Sequence, residues 1–478
     1  MEAAKTKKTI KTIAPTKNPM PEQEPAVRAR NWGEVSLGYG EEQARAEAAR
    51  CLQCKKPGCV SGCPVAINIP GFIEAIEAGE FRRAYEVLSK DNVLPAICGR
   101  VCPQESQCES QCIVGNKLEP VGIGRLERFV GDLALKNGWN KASNTEIKKT
   151  GKRAAMIGSG PASVTCAVDL ARAGVEVTIY EALHTAGGVL KYGIPEFRLP
   201  KKLIDQELEA LQGLGVKVKT NAIIGRLYTI PQLMQDMGYD AVFIGVGAGF
   251  PNLMGIPGEG LNGIFSANEY LTRVNLMRAY QHPQSDTPTG MGKNVAIIGA
   301  GNTAMDACRV SVRMGAQNVY CVYRRTKKES PARAEEVHHA EEEGVKFHWL
   351  TAPVRVLGDE RGWVKGMECI RMELGEPDAS GRARPVPVKG SEFVFEVDTI
   401  VYAIGTSANP IIAQTTPGLT LNKRGYIDTN PETGMTSIPG VFAGGDIVTG
   451  GATVILAMGA GRKAAQGILR YLGVGTPA

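Results

Sequence analysis

The sequence predicts an α/β chain in which two nested Rossmann-like dinucleotide-binding domains follow an α-helical domain built around cysteines. Three observations predict this fold class. A strand, glycine turn, helix and second strand occupy residues 153–181, and a similar unit occupies residues 294–325. Eight of the twelve cysteines are crowded between Cys51 and Cys112. The length of 478 residues allows several domains with large cores.

Residues 1–40 are predicted to form an extended N-terminal arm, because four prolines are spread among charged residues there. Five lysines between Lys5 and Lys17 carry much of the net charge of +6, and such a run is typical of a solvated tail rather than a nucleic-acid site. No apolar run is long enough to span a membrane, and the N-terminus lacks the apolar core of a signal peptide. The sequence therefore predicts a cytoplasmic protein.

Residues 41–150 are predicted to form a helical domain that holds the cysteines in loops. The first run, from Cys51 to Pro64, has the spacing C-x2-C-x4-C-x3-C-P, and the second, from Cys98 to Cys112, has the spacing C-x3-C-P-x4-C-x3-C. Between them, residues 69–79 and 80–88 have the periodicity of two short amphipathic helices.

Cysteines crowded in this way in a large cytosolic chain indicate metal binding rather than disulfides. Iron–sulfur clusters use closely spaced cysteines plus a remote one, often followed by proline, and both runs have this form. Structural zinc is the alternative, but only Cys51 and Cys54 have the spacing of a zinc knuckle. The spacing therefore favours two [4Fe-4S] clusters.

The first glycine unit has the features of an FAD or NAD fingerprint. Gly158 allows the tight turn, Gly160 lets the backbone approach a pyrophosphate, and the following helix supplies its positive dipole end. Glu181 ends the second strand, where an acid accepts a hydrogen bond from a ribose hydroxyl. Ser163 departs from the glycine or alanine that is usual for close packing of helix and strand.

Two further stretches are predicted to complete a flavin site. Residues 187–201 are dense in glycine and proline, which suggests backbone lying close to a flat ring, with Gly188 and Arg198 as contacts. Near the C-terminus, Asp446 follows a short apolar strand and is expected to accept from a ribityl hydroxyl. Thr453 opens the last helix, whose dipole would stabilise a reduced flavin.

The second glycine unit is predicted to lie in a domain inserted into the first, because the similar strands at 240–245 and 398–405 look like the exit from one sheet and the return to it. Here Arg324 and Arg325 replace the acid that normally follows the second strand. Arginine binds a 2′-phosphate, so the unit should prefer NADP(H) to NAD(H). The expected nucleotide contacts in the loop are Gly299, Gly301, Asn302 and Thr303.

The order of these parts resembles the glutamate synthase small-subunit family, and the resemblance covers nearly the whole chain. The same module resembles the N-terminal part of dihydropyrimidine dehydrogenase and the large subunit of NADH-dependent ferredoxin:NADP oxidoreductase. The most specific matches are residues 98–104, 299–306, 323–325 and 440–446. The leader at 19–30 is more similar to the ferredoxin:NADP oxidoreductase branch.

The resemblance implies how the cluster ligands are divided. It assigns one [4Fe-4S] cluster to four cysteines, Cys51, Cys54, Cys59 and Cys112. It assigns the other to three cysteines and an oxygen ligand, Cys63, Cys102, Cys108 and Glu127. Counting cysteines alone would instead choose Cys98 as the eighth ligand, so Glu127 and Cys98 are competing assignments.

The resulting prediction is an NAD(P)H-dependent FAD and iron–sulfur oxidoreductase subunit, with the following domains: arm 1–40, iron–sulfur domain 41–150, discontinuous FAD domain 151–287 and 390–478, and NADP(H) domain 288–389. The resemblance implies a second flavin-containing or FMN-containing subunit, and ferredoxin, as partners. It favours an electron-bifurcating oxidoreductase, with the glutamate synthase small subunit as the alternative.

Two other classes of function are less well supported by the sequence. A flavin disulfide reductase would need two adjacent cysteines beside the flavin, but Cys166, Cys308, Cys321 and Cys369 are isolated along the chain. The other class is an NADPH oxidase with a zinc-stabilised docking module at its N-terminus, which would lack iron.

Overall fold

A computed structural model describes residues 8–141, 147–377 and 381–475; Lys5 and Lys7 of the basic run lie outside this part of the chain. The N-terminal region is helical, as predicted. Its α-helices are Pro25–Arg28 (α1), Glu41–Ala48 (α2), Gly58–Ser61 (α3), Ile69–Ala78 (α4), Phe81–Asp91 (α5), Pro95–Val101 (α6) and Ile123–Asn137 (α7). Three short 3-10 turns follow α6, at Gln104–Ser106, Glu109–Gln111 and Ile113–Asn116.

Helices α6 and α7 pack backbone to backbone because a glycine on each helix faces the backbone of the other helix. A Cβ on Gly131 would lie 2.5 Å from the Ala96 nitrogen, and a Cβ on Gly99 would overlap the backbone of Arg128. This close approach fixes α7, which carries Glu127, against the helix that leads into Cys102.

The N-terminal arm is packed into the protein between its domains. The Val35 side chain is buried, and its N–H donates to the Phe197 carbonyl oxygen at 3.0 Å. The Trp32 ring stacks on Tyr280 with 4.5 Å between ring centroids, and the Arg28 side chain is also buried. The prediction of an extended arm that lies over the surface is therefore wrong for this segment, because the segment buries large side chains.

The first sheet is parallel, and its strands lie in the order Val441–Ala443 (β16), Ala241–Ile244 (β4), Arg153–Ile157 (β1), Glu176–Tyr180 (β2) and Lys217–Lys219 (β3). Its elements before the insertion are Arg153–Ile157 (β1), Pro161–Arg172 (α8), Glu176–Tyr180 (β2), Val189–Tyr192 (α9), Lys201–Gly213 (α10), Lys217–Lys219 (β3), Ile230–Gln235 (α11) and Ala241–Ile244 (β4). One continuous apolar core joins the helices of this unit to the cysteine domain.

The second sheet is also parallel, with the order β6-β14-β7-β8-β9, and an antiparallel sheet of β10–β13 flanks it. The elements are Phe250–Pro251 (β5), Ile264–Ser266 (β6), Ala267–Leu271 (α12), Asn294–Ile298 (β7), Asn302–Arg313 (α13), Asn318–Val322 (β8), Ala334–Glu342 (α14), Lys346–His348 (β9), Thr351–Gly358 (β10), Val364–Pro377 (β11), Ala383–Pro387 (β12), Phe393–Phe395 (β13), Thr399–Tyr402 (β14) and Thr406–Ser407 (β15).

The strand pairing gives the inserted domain boundaries that differ from those predicted. Strands β6 and β14 both pair within the second sheet, although one precedes residue 288 and the other follows residue 389. The antiparallel pair β5 and β15 lies where the chain passes between the two units. The inserted unit therefore extends beyond 288–389, because the pairing of its outer strands adds segments on both sides.

The return to the first sheet is also later than predicted. The segment at 398–405 forms β14 of the second sheet, so the expectation that it shares a sheet with 240–245 is wrong. The return strand is β16, which pairs with β4. The last elements are Ile411–Gln414 (α15), Val441–Ala443 (β16), Asp446–Thr449 (α16) and Val454–Leu472 (α17).

Ser163 lies where α8 packs on the end of β4. Its Oγ is buried without a hydrogen-bond partner among the described residues, and a Cβ on Gly245 would overlap it. We expect Ser163→Ala to stabilise the chain by up to about 1 kcal/mol, because it removes an unsatisfied hydroxyl without adding volume. Urea denaturation will measure the change. Ser163→Val, which adds volume at this contact, is the control and should destabilise; a loss of stability in the alanine variant would contradict this interpretation.

Candidate redox site

The first glycine loop has the geometry that a bound pyrophosphate requires. Gly158 adopts φ +90°, and a Cβ there would lie 2.7 Å from the Gly245 carbonyl oxygen, so only glycine fits. Gly160 is the N-cap of α8, and the nearest atom to a Cβ there is the Gly245 oxygen at 3.9 Å. The N-terminus of α8 is thus free of crowding on the side from which a phosphate would approach.

Glu181 is held rigidly at the end of β2. Its side chain is 5% exposed, and Oε1 accepts from the Leu183 N–H at 2.8 Å. Oε2 accepts from the Ser159 N–H at 2.9 Å and from the Ser159 hydroxyl. Because each carboxylate oxygen has two lone pairs, Oε1 can still accept a ribose hydroxyl in the orientation that these bonds fix.

Gly188 and Arg198, both predicted to contact a flavin, lie in different surroundings. Gly188 has φ +55°, and a Cβ there would lie 3.0 Å from the Gly160 Cα, so this loop lies directly against the first fingerprint. Arg198 instead forms a buried ion pair with Asp306 of α13, with Nη1 2.7 and 2.8 Å from the carboxylate oxygens, and its Nε lies 3.0 Å from Glu336. Its guanidinium therefore joins the two nucleotide units, which the sequence did not predict.

Asp446 and Thr453 border the start of the last helix. Asp446 follows Gly445, which has φ +78°, and burial raises the pKa of its carboxyl to about 6. Its Oδ1 accepts from the Ala452 N–H at 3.2 Å. The Thr453 hydroxyl accepts from the Leu456 N–H at 3.3 Å and so caps the N-terminus of α17.

The cysteines of the N-terminal domain lie in two groups. In the first group, burial is the main cause that raises the pKa of Cys51 to about 11 and of Cys59 to about 12, and the neighbouring thiols add to it. The charge of the Cys112 thiolate also raises the pKa of both of these thiols and of Cys54. These four side chains are all partly exposed, so the first group lies near the protein surface.

The second group surrounds a buried cavity. The cavity is lined by three cysteines, a glutamate, two glutamines and apolar side chains, namely Cys63, Cys102, Cys108, Glu127, Gln104, Gln107, Pro64, Ile67, Ile69, Phe72, Ile123 and Ile455. Burial raises the pKa of Glu127 to about 8, and the Asn92 amide donates to its Oε1 at 2.6 Å. Cys98 does not line this cavity; its Sγ contacts the Met458 sulfur at 3.5 Å.

The spacing of the thiols fits clusters better than single metal ions. A zinc ion bound at 2.3 Å by each sulfur would hold the sulfurs about 3.8 Å apart. Across the described residues, only Glu22, Glu335 and His339 bring three potential ligand atoms within 4.8 Å of one another, so no three thiols do. Among the described residues, no three thiols therefore have the close spacing of a bound zinc ion.

The start of α17 connects the buried cysteine group to the expected flavin side. Ile455 lines the cysteine cavity, and the Thr453 hydroxyl accepts from the Gln107 amide at 3.4 Å. A Cβ on Gly459 would lie 2.9 Å from the Pro64 carbonyl oxygen, so the helix packs directly on the loop that follows Cys63. One helix N-terminus thus borders both sites.

The second glycine loop is built like the first. Gly299 has φ +130°, and a Cβ there would overlap the Ala403 carbonyl. Gly301 is the N-cap of α13, and Thr303 is exposed in its first turn. The Asn302 Oδ1 accepts from the Arg333 N–H at 3.0 Å, so this loop is tied to the segment before α14.

The two arginines after β8 have different environments. Arg324 is exposed, whereas Arg325 is buried and donates from Nε to the Ala383 carbonyl oxygen of β12 at 2.8 Å. Arg324 is therefore the better placed of the pair to meet a nucleotide phosphate.

Cys308 and Cys321 are isolated in sequence but adjacent in space. A hydrogen bond joins their thiols, and both lie in the apolar core of the second unit. Burial raises the pKa of Cys308 well above its ordinary value, so this thiol is not poised to form a thiolate. The pair is thus a packing feature beneath the second glycine loop.

Comparisons with known proteins agree with this architecture. Residues 28–139 match the family described as dihydropyrimidine dehydrogenase domain II, 4Fe-4S cluster, and residues 152–461 match the pyridine nucleotide-disulphide oxidoreductase family. The glutamate synthase [NADPH] small chain of Halomonas elongata is 38% identical over 95% of this chain and 96% of its own length. That of Escherichia coli is 36% identical over 97% of this chain and 98% of its own length.

A further relative and a solved structure complete the comparison. The NADP(+)-dependent formate dehydrogenase subunit beta of Moorella thermoacetica is 41% identical over 87% of this chain, which spans only 60% of that protein. Mycobacterium tuberculosis FprA in complex with NADPH superimposes with a TM-score of 0.57 at 20% identity, over 67% of this chain and 84% of that one. This last likeness concerns the fold alone.

Fold, sites and relatives together define an NAD(P)H-dependent oxidoreductase subunit that uses FAD and iron–sulfur chemistry. The chain belongs to the glutamate synthase small-subunit family. The resemblance seen in the motifs and the predicted fold class are thereby confirmed. Among the described residues, no helix combines the length and apolar character needed to cross a membrane.

Proposed function

We propose that this chain carries electrons between NADP(H) and two [4Fe-4S] clusters through an FAD, as the large subunit of an electron-bifurcating NADH-dependent ferredoxin:NADP oxidoreductase. FAD, when bound, supplies the ability to accept two electrons as hydride and to pass them on singly. The observation that carries the proposal is the position of α17. Its start, at Thr453 and Ile455, contacts the cysteine domain, and a Cβ on its Gly461 would overlap the Ala162 carbonyl oxygen of α8, the helix of the first glycine unit.

The chain's own residues would bind, orient and shield these groups. The first glycine loop and Glu181 would hold FAD by its pyrophosphate and ribose, and Asp446 would accept from the ribityl chain. The second glycine loop would hold NADP(H). We assign Cys51, Cys54, Cys59 and Cys112, which are all partly exposed, to one cluster, and Cys63, Cys102, Cys108 and Glu127, of which only Cys63 is partly exposed, to the other. The exposed group would then be the one that meets a partner.

A partner subunit is part of this proposal. The names of the formate dehydrogenase and NADPH-Fe(3+) oxidoreductase relatives describe beta subunits, and the small chains of glutamate synthase imply a large one. In the bifurcating enzyme, the partner would be a second flavin subunit, and ferredoxin would receive electrons from the complex. The leader at 19–30 supports this branch by resemblance.

The alternative is the small subunit of an NADPH-dependent glutamate synthase. It is favoured by one observation, since the chain spans 96% and 98% of two such small chains. This chain would then deliver electrons to a large FMN-containing subunit.

Purification of the native complex tests both assignments. A small flavin subunit in the complex, together with NADPH-dependent reduction of ferredoxin that requires NAD⁺ as the second acceptor, would support the bifurcating enzyme, and a large FMN subunit would support glutamate synthase. Iron and acid-labile sulfide assays, with absorbance near 400 nm that bleaches with dithionite, test the clusters. A protein that contains zinc and no iron would refute both assignments.

Nucleotide preference gives a separate prediction. We expect Arg324→Ala to weaken NADPH binding about 10- to 100-fold and to leave NADH binding nearly unchanged, because a charge-assisted hydrogen bond to the 2′-phosphate is lost. Titration of both nucleotides will measure the affinities. Lys346→Ala is the matched control, since Lys346 is also exposed, lies on the neighbouring strand β9 and contacts Asn318 instead of the loop. Equal losses for NADPH and NADH would contradict the phosphate assignment.

A further inference from the structure

A short segment before α14 touches both the second glycine loop and the loop of the buried cysteine group. On the nucleotide side, the Ser330 hydroxyl donates to the Ala300 carbonyl oxygen at 2.7 Å. The Arg333 N–H donates to Asn302 at 3.0 Å, and the Pro331 ring lies 3.8 Å from a Cβ placed on Gly301. A phosphate at the N-terminus of α13 would therefore lie beside this segment.

On the other side, the same segment reaches the cysteine domain. Arg333 Nη1 donates to the Arg100 carbonyl oxygen at 2.6 Å, and Nη2 donates to the Gln104 side-chain oxygen at 3.3 Å. The N–H of Ala334 donates to Glu105 at 3.2 Å. The contacts therefore fall on both sides of Cys102, which precedes Gln104 by two residues.

Gln104, which contacts Arg333, also forms part of the cavity wall. Its side chain is buried, lines the cavity and donates to the Gly99 carbonyl oxygen at 3.3 Å. A Cβ on Gly124 would overlap the Gln104 amide, so this side chain has little freedom to rearrange without moving α7. Any displacement of Arg333 is thus transmitted to the group that faces the cavity.

We propose that Arg333 is a positioning residue that couples nucleotide occupancy of the second glycine loop to the buried cluster site. The inference rests on the proposed function, since it takes that loop to bind NADP(H) and that cavity to hold a cluster. Arg333 brings a buried positive charge close to Cys102, so a movement of Arg333 alters the electrostatic environment of the cavity as well as its shape. Because coupling free energies are reciprocal, reduction of the cluster would also change the affinity for NADP⁺.

The first test uses hydrogen exchange, which needs no enzymatic activity. In the wild type, NADP⁺ should slow amide exchange in residues 98–108 as well as in the loop that binds it. Arg333→Gln and Gln104→Met should each abolish the distant effect while NADP⁺ still protects residues 299–304. Lys327→Gln is the matched control, because Lys327 lies six residues earlier on the same connection and pairs with exposed Glu341. It should behave as the wild type.

The second test measures the midpoint potential of the buried cluster by EPR titration, with and without NADP⁺. A shift in the wild type that disappears in Arg333→Gln and is partly restored in Arg333→Lys would support the coupling, since lysine keeps the charge but not the two-pronged contact. If nucleotide and iron are both bound but the wild type shows neither the distant protection nor the shift, the coupling is refuted while the proposed function stands. If NADP⁺ does not bind, the proposed function fails and the coupling fails with it.

Discussion

Glu343→Gln is expected to lower the free energy of unfolding by about 3–5 kcal/mol, because it removes a buried carboxylate that three guanidinium groups share and leaves Arg313 without this counter-charge. The Glu343 side chain is fully buried at the end of α14. Its oxygens lie 2.8 Å from Arg309, 2.6 Å from Arg313 and 3.2 Å from Arg28 of the arm. Glutamine has nearly the same shape, so the loss would report the charge rather than the packing. Equilibrium urea denaturation will measure it.

The control for this prediction is Glu341→Gln, two residues away on the same helix. Glu341 forms a largely exposed ion pair with Lys327, and exposed pairs contribute only about 0–1 kcal/mol. If the two variants lose similar amounts, the buried network does not stabilise the fold as described.

The pH dependence of stability gives an independent check on the same group. Burial raises the pKa of Glu343, but hydrogen bonds from Arg313 and Arg309 outweigh it and lower the pKa to about 2. The unfolded carboxyl titrates near 4.5. Its contribution is therefore fully present above that pH and is lost as the pH falls toward about 2. Glu343→Gln should flatten this part of the stability profile.

This network also shows what the sequence did not reveal about the N-terminal arm. Arg28 looked like one of many charged residues in a proline-rich leader, yet it is buried against α14 more than three hundred residues later. Composition reports local tendencies, and proline and charge do indicate an extended backbone. Whether such a segment packs depends on the surface it meets, and apolar residues such as Trp32 and Val35 were the only kind of signal that it meets one.

The glycine fingerprints were predicted well because their information is local. The positive φ values of Gly158 and Gly299, the helix N-termini and the position of Glu181 all follow from residues within one strand–turn–helix–strand unit. The domain boundaries were not predicted well, because β14 and β16 have similar apolar sequences and differ only in the strand beside which they pair. The sequence of either segment alone does not predict the strand with which that segment pairs.

Arg198 and Arg333 show the same limit at the level of single side chains. Arg198 was expected at a flavin because of the loop that carries it, but its partner Asp306 lies on the helix of the other nucleotide unit. Arg333 carried no motif at all, and its role became visible only from its contacts with Gln104 and Asn302. Both residues form contacts between domains. The sequence around one partner of such a contact does not predict the other partner.

The eighth cluster ligand is the assignment on which the cysteine count and the family resemblance differ, and two variants distinguish them. We expect Glu127→Leu to lose about half of the bound iron, because one of the two clusters would lack a ligand, and Cys98→Ala to keep all of it. Glu127 lines the buried cavity with Cys63, Cys102 and Cys108, whereas Cys98 does not line the cavity, although its thiol contacts Cys102 as well as Met458. Iron-to-protein ratios and the EPR signals of the reduced protein will measure the difference.

The two variants also control for each other. Both residues are buried and both substitutions introduce an apolar side chain. A loss of iron caused only by disturbed packing would therefore appear in both variants. Glu127→Gln separates charge from coordination, since the amide oxygen can still approach iron while the carboxylate charge is gone. Retention of iron with a raised potential in that variant would agree with an oxygen ligand, because removing a negative charge beside a cluster favours its reduction. Iron loss in Cys98→Ala with none in Glu127→Leu would instead assign the position to sulfur.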